Sequence, residues 1–302
     1  MEIVAVMNIG RKIKELRTKK LMTQAELAGD VITRNMLSCI ENGSAQPSLG
    51  TLRHIASRLG VPVGYLLADE EEENLYAKMS EMKDIKNAYL SGNYRICRDM
   101  CINSQIERDD EISLIAAEAS LAIAKESFAQ GFLRSTAYYL DDAIGFAEET
   151  VYHTEHIRSA AALYFRYMRN VSATLSSDVI DEEAPIAPFA FDDFSKYAIA
   201  FEALTEENVR LVQYFLSELP EDSPYALHIR ARMSMNERRF ERAYEDLYAI
   251  LIHPRKIEEP LMYFVFCDLE ICCKEQKDFK GAYEYSNAKL NILQKMLSDN
   301  DD

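Results

Sequence analysis

Met22-Thr-Gln-Ala-Glu-Leu-Ala-Gly-Asp-Val-Ile-Thr-Arg-Asn-Met-Leu-Ser-Cys-Ile-Glu-Asn-Gly43 decides the fold of this chain's N-terminal part. Thr23 followed three residues later by Glu26 is a capping box: the hydroxyl takes a free amide of the first helical turn while the carboxylate reaches back. A helix is therefore expected from Thr23, with Leu27 and Ala28 as its apolar face and Gly29-Asp30 as its break. A second helix is expected from Thr33. Along it Met36, Leu37 and Ile40 read as one buried stripe, leaving Thr33, Arg34, Asn35, Ser38 and Glu41 on or beside the open face. Gly43 fits a left-handed cap, and Pro47-Ser48 restarts the chain into a further helix carrying Leu52, Ile55, Ala56 and Leu59.

Two short helices with a tight turn form a helix-turn-helix, a device that lays one helix against base edges in a DNA major groove. Residues 9–67 resemble the phage-repressor-like (XRE) helix-turn-helix domain. The motifs are Thr-Gln-x-Glu-Leu-Ala from Thr23, Leu-Ser-x-Ile-Glu-Asn-Gly from Leu37, Pro-Ser-x-x-Thr-Leu from Pro47 and Leu-Gly-Val-Pro from Leu59, in the family's order and spacing. The turn Gly29-Asp30-Val31-Ile32 is one residue shorter than the commonest form. The resemblance implies a five-helix domain in which Thr23 and Gln24 lie at the phosphate backbone. Thr33, Arg34, Asn35 and Ser38 would face the bases, and Asn42 and Ser44 would hold the backbone beyond. The residue types suit the task, since Arg pairs bidentately with guanine and Asn with adenine, each worth about 1–3 kcal/mol of discrimination.

Charge is divided along the chain. Residues 1–68 hold nine Lys or Arg against five Asp or Glu, a net of +4, whereas the remainder holds 25 against 45, a net of −20. A uniform charge of −16 would repel nucleic acid. A basic head, including Lys14, Lys19 and Lys20, can meet phosphates while the acidic body stays off them.

With ten Gly, eight Pro and no Trp in 302 residues at 48% hydrophobic content, the whole chain is expected to be all-α. The expected division is a DNA-binding domain over residues 7–68, an acidic linker over 69–74 (Asp69 and the Glu run) and a helical domain over 75–298. Residues 1–6 read either as an upstream start or as a disordered extension. No run of eighteen apolar residues and no signal sequence is present, so a cytoplasmic protein without membrane association is expected.

The six cysteines lack any Cys-x-x-Cys spacing and read as small buried packing residues in a reducing compartment. His153 and His156 have no completing ligands nearby. No metal, no cofactor and no enzymatic activity are expected, because no phosphate loop, zinc-protease or nucleophile-elbow motif occurs.

A repeat marks the second half. Asn236 to Tyr244 is echoed 39 residues later by Glu275 to Tyr283, and more faintly by Ser91 to Cys97. An aromatic three residues before a small residue, at a turn between two helices, resembles the tetratricopeptide (TPR) repeat, which stacks helical hairpins into a solenoid. A Pro-containing interruption is expected at 181–193.

A phage-repressor-like domain followed by a TPR-like solenoid resembles the Rgg/PlcR (RNPP) group of regulators. That resemblance implies a homodimer on a two-fold symmetric operator in double-stranded DNA, and a short signalling peptide held by the solenoid. By residue chemistry the peptide-binding candidates are Arg166 with Asn170 and Arg232 with Asn236, as i, i+4 pairs. Two other readings stand beside it: a DNA-binding regulator whose helical domain only dimerises or docks a protein, and an interaction protein that keeps the fold without DNA.

Overall fold

In the computed structural model the described residues are 2–68, 70–104, 108–175, 186 and 191–298, with the side chains of 2–8, 70–75 and 77 not described. They form sixteen helices and no strand, so the chain is all-α. The chain divides into two compact units, residues 1–84 and residues 85–302.

The first unit contains α1 (Glu2–Lys19), α2 (Gln24–Ala28), α3 (Arg34–Glu41), α4 (Leu49–Leu59), α5 (Val63–Leu67) and the start of α6 (Glu70–Leu90). Helix α1 takes in residues 2–6, the stretch the sequence leaves as start or extension. Asp69 is outside the described residues, and the backbone over the following Glu run is helical, as the first turns of α6.

Local chemistry sets the boundaries of these short helices. The Thr23 hydroxyl accepts from the Glu26 amide at 3.2 Å and the Thr23 amide donates to Glu26 Oε2 at 2.6 Å, closing the capping box that starts α2. Thr33 accepts from the Met36 amide at 3.1 Å to start α3, and Ser48 from the Thr51 amide at 3.1 Å to start α4. Gly60 ends α4 in the left-handed region with φ 66°.

Packing holds the unit together through one cluster of Ile13, Leu27, Ala28, Leu37, Ile40, Leu52, Ile55, Ala56, Leu59 and Leu66. Gly10 permits a close crossing of α1 on α3, since a Cβ there would lie 2.2 Å from the Ile40 carbonyl oxygen.

The second unit contains the end of α6, then α7 (Tyr94–Ile102), α8 (Asp110–Ala129), α9 (Leu133–Glu148) and α10 (Glu155–Arg169). Helices α11 (Asp193–Thr205), α12 (Val209–Ser217), α13 (Pro224–Asn236), α14 (Phe240–Leu251), α15 (Glu259–Glu275) and α16 (Phe279–Leu297) complete it. Of the Pro-containing interruption at 181–193, all but Ile186 and 191–193 lies outside the described residues.

Five of its hairpins share one turn. Gly92, Gly131, Glu207, Arg238 and Lys277 each have φ between 57° and 82°. The next residue, at φ near −80° to −91° and ψ 60° to 79°, begins the following helix. That residue's amide closes the turn on a carbonyl five residues back at 2.8–3.0 Å: Asn93 on Ala88, Phe132 on Ser127, Asn208 on Ala203, Arg239 on Ser234 and Asp278 on Cys273. Five residues beyond the left-handed residue in each hairpin, Cys97, Thr136, Val212, Ala243 or Ala282 is buried. Three of the turns are those the repeat marks; those at Gly131 and Glu207 lack its aromatic. The interval is 39 residues from Gly92 to Gly131 and from Arg238 to Lys277, but 31 from Glu207 to Arg238, so no single period describes the array.

A buried polar chain crosses this unit. The Tyr167 and Tyr197 hydroxyls are 3.1 Å apart, Tyr197 Oη is 2.8 Å from His228 Nδ1, and His228 Nε2 is 3.0 Å from Asp268 Oδ2. Arg232 closes the chain on Asp268 from Nε at 2.7 Å and Nη2 at 3.2 Å, and its guanidinium carbon lies 4.4 Å from the Phe201 ring centre. With Arg232 donating to Asp268, every bond is satisfied when Tyr167 donates to Tyr197, Tyr197 to His228 Nδ1 and His228 Nε2 to Asp268, which requires a neutral imidazole. Burial lowers the His228 pKa, and the Asp268 contacts oppose this without reversing it. Burial pushes the Asp268 carboxyl up, but the His228 and Arg232 donors outweigh it and hold it below the usual range. The chain ties α10, α11, α13 and α15 side by side.

The cysteines divide. Cys97, Cys101, Cys272 and Cys273 are buried as expected, Cys267 is half-buried, and Cys39 is exposed, correcting the expectation of a wholly buried set. Among the described residues no group of His, Cys, Asp and Glu could hold a metal, and no helix is long and apolar enough to cross a membrane.

Candidate nucleic-acid interface

Helix α3 presents the surface on which the sequence reading turns. Taking Leu37 as reference and about 100° per residue, Leu37, Ile40 and Glu41 fall within one inward arc. Asn35, Cys39 and Asn42 lie opposite, with Ser38 flanking on one side and Met36 on the other. The observed burial follows that geometry. Leu37, Ile40 and Glu41 are enclosed, Asn35, Met36, Cys39 and Asn42 are exposed, and Ser38 is half-buried.

Two expectations about α3 are corrected here. Met36 does not join the buried stripe but is 39% exposed, because the inward arc is centred on Leu37 rather than between residues 36 and 37. Glu41 does not sit on the open face. Its side chain is 1% exposed and accepts from Arg17 Nε at 2.6 Å, Arg17 Nη2 at 3.0 Å and Gln24 Nε2 at 2.8 Å. The hydrogen bond to Glu41 outweighs the opposing effect of burial and raises the Arg17 guanidinium pKa above its ordinary value. A charged pair enclosed with three hydrogen bonds fixes the relation of α1, α2 and α3.

The remaining predicted residues separate by their partners. Thr23 and Thr33 are exposed caps. Gln24 is half-buried, and its amide, the group expected at a phosphate, donates to Glu41. The Ser44 hydroxyl donates to the Cys39 carbonyl at 3.0 Å, and Asn42 is the C-cap of α3. Arg34 and Asn35 are exposed, and among the described residues their side chains have no hydrogen-bond or ionic partner. These two can meet a base edge without first breaking a contact.

The basic charge of this unit is also divided. Lys12 is buried and donates to the carbonyls of Tyr65, at 3.3 Å, and Ala68, at the end of α5. Arg17 is used by Glu41 and by the Met22 carbonyl at 2.8 Å. Lys14, Lys19, Lys20, Arg34 and Arg53 are exposed.

In the second unit, Arg166 and Asn170 line one cavity of about 210 Å³ between α10 and α11, with Tyr167, Phe201, Glu202 and Thr205. Arg166 Nε is 3.6 Å from Glu202 and makes no hydrogen bond among the described residues. The Asn170 amide donates to the carbonyls of Arg166 at 2.9 Å and Tyr167 at 3.3 Å. Asn236 lines a second cavity, of about 600 Å³, which shares Thr205 with the first. Arg232 lines neither of these, being turned into the buried chain with Asp268. Arg232 and Asn236, four apart on α13, do not share either of these cavities.

Met36, Cys39 and the polar chain are what sequence reading missed. The phase of Leu37, Ile40 and Glu41, once Arg17 is recognised as a counter-ion, is the signal that would have placed the first two.

The first unit is thus a helix-turn-helix domain of five helices with a tightly fixed α2–α3 pair. The chain belongs to the helix-turn-helix family, whose model matches residues 13–66. It is 35% identical over 83 residues to the immunity repressor protein of Bacillus phage phi105, and spans 58% of that protein with 26% of its own length. It is 30% identical over 78 residues to the cryptic phage CTXphi transcriptional repressor RstR of Vibrio cholerae, spanning 70% of it with 24% of its own length. Among solved structures it is similar to Bacillus thuringiensis PlcR bound to the peptide PapR7 and DNA, at 15% identity over 97% of each chain with a TM-score of 0.25. It is also similar to the apo form of the competence regulator ComR from Streptococcus vestibularis, at 16% identity over 87% of this chain and 99% of that one with a TM-score of 0.27.

Proposed function

We propose that this protein is a sequence-specific, DNA-binding transcriptional regulator that acts in the cytoplasm as a homodimer on a two-fold symmetric operator. The observation that carries the reading is the pair Arg34 and Asn35, exposed and, among the described residues, without side-chain partners at the start of a helix that Leu37, Ile40 and Glu41 fix in the domain core. Their chemistry discriminates guanine and adenine in the major groove. Both relatives described above are named as repressors.

The helical array is read as TPR-like, on the strength of its repeated turn, and as the sensor of a short peptide. The adjoining cavities at Arg166, Asn170 and Asn236 support that reading, offering a guanidinium for a carboxylate and amides for peptide groups. A second reading, in which the array only dimerises or docks a protein, is favoured by one observation: Arg232 commits Nε and Nη2 to the buried Asp268 carboxylate.

Selection of bound duplexes from a random pool by the full chain, with and without fractionated short peptides, tests both. A symmetric consensus supports the regulator, and a peptide-dependent change in its enrichment supports the sensor. Enrichment of no sequence, even at low salt, refutes the regulator; a consensus that no peptide fraction alters favours the second reading.

A further inference from the structure

Helix α3 does not present a uniformly hydrogen-bonding face. Its outward arc is split lengthwise: Asn35, Ser38 and Asn42 are polar, whereas Met36 and Cys39 form an apolar, sulfur-bearing edge. Met36 and Cys39 are three residues apart on one helix, which brings their Cβ atoms to about 5–6 Å and makes them neighbours. Both are exposed although the same domain encloses Leu37 and Ile40 on the other side of the helix. Among the described residues no side chain of the unit's apolar cluster covers Met36.

We propose that Met36, with Cys39 beside it, is a specificity-determining contact that reads thymine through its C5 methyl group. The proposal rests on the DNA-binding reading above and adds to it a base that hydrogen bonding from Arg34 and Asn35 does not select. The occupant follows from continuity. The edge adjoins Asn35 on the same turn, so anything that brings Asn35 to a base edge also brings Met36 and Cys39 into the groove. In the major groove each A·T pair shows adenine's donor and acceptor together with thymine's methyl, the one apolar group on the floor. An asparagine set beside a flexible thioether matches such a pair on both strands. Met suits a shallow apolar target because it is unbranched and adapts its shape.

The test uses the full-length chain and the operator recovered from the random pool. Each thymine of one half-site is replaced in turn by deoxyuridine, which removes the methyl and leaves the hydrogen-bonding edge unchanged. The wild type is expected to lose about fourfold in affinity at one or two positions, the equivalent of about 0.8 kcal/mol for one buried carbon. Met36→Ala, or Cys39→Ser for a second position, is expected to bind the normal operator more weakly and to be indifferent to deoxyuridine at that same position. Because both side chains are on the surface, the variants keep the fold, which unchanged helical circular dichroism and unchanged non-specific affinity confirm. An operator lacking thymine within reach of α3 overturns the proposal. So does tolerance of every deoxyuridine by the wild type, or a loss that persists equally in both variants. In each of those cases an operator has been found, so the DNA-binding reading stands while this proposal falls. If no sequence is enriched, both fall together.

Discussion

Replacing Arg17 by Met should release α3 from its fixed position. Among the described residues Arg17 supplies two of the three donors to a carboxylate whose side chain is 1% exposed, and the only cation. Removing it leaves Glu41 enclosed with a single amide donor, a loss for which buried pairs typically show about 3–5 kcal/mol. Loss of the 2.8 Å bond from Arg17 to the Met22 carbonyl adds about 1 kcal/mol. Against a domain stability of about 5–15 kcal/mol this is a large share. The paired substitution Arg17→Met with Glu41→Leu removes the stranded charge and should recover most of the loss, since apolar replacement of both members of a buried pair is often neutral or better. Hydrogen exchange of the intact protein reads this directly. Amides of α3 should exchange about 10³–10⁴ times faster in the single variant, and the double variant should return to within about tenfold of the wild type. Single-variant protection within tenfold of the wild type, or a double variant worse than the single, would refute the reasoning.

Other consequences follow from the same geometry. Gly10→Ala sets a Cβ 2.2 Å from the Ile40 carbonyl, so α1 and α3 must separate; thermal unfolding should show a loss of about 1–3 kcal/mol or more, with weaker DNA binding. Because the folded His228 pKa lies below the ordinary value of about 6.5, the unfolded chain takes up the proton first. The stability this neutral histidine contributes is complete above that value and is lost as pH falls from it through the lower folded pKa. Denaturation midpoints of the second unit should therefore decline from pH 7.5 to pH 5, and His228→Gln should flatten that decline while lowering stability at pH 7.5. An equal decline in the variant would assign it elsewhere. Arg34→Ala and Asn35→Ala should each reduce discrimination among operator sequences by about 1–3 kcal/mol while changing non-specific affinity much less; competition binding with point-mutated duplexes measures it.

Much of the first unit was legible because its boundaries are set locally. Thr23, Thr33, Ser48 and Gly43 act through hydrogen bonds or backbone angles that involve only neighbours in sequence, and the helices begin and end where those residues say. Burial of single positions was less legible. Met36 and Leu37 are adjacent and equally apolar, and only the tertiary position of the core chooses between them. Glu41 and Lys12 are typical surface residues, turned inward by Arg17 and by the free carbonyls at the end of α5, partners at least 24 positions distant. In the second unit Phe240 with Ala243 and Phe279 with Ala282 disclosed two hairpins. The turns at Gly131 and Glu207 stayed hidden because a turn needs only a left-handed residue and a small buried partner, and neither demands an aromatic. The Arg232 contact to Asp268 stayed hidden for the related reason that its partner lies on another helix, 36 residues away in sequence.

The central claim is that α3 reads bases through Arg34, Asn35 and the residues beside them. Enrichment of duplexes from a random pool, carried out with the wild type and with an Arg34→Ala, Asn35→Ala double variant, tests it most directly. The account predicts a two-fold symmetric consensus for the wild type and its collapse in the variant, with salt-dependent non-specific binding retained. An unstructured pool from the wild type, or the same consensus from both proteins, would contradict it.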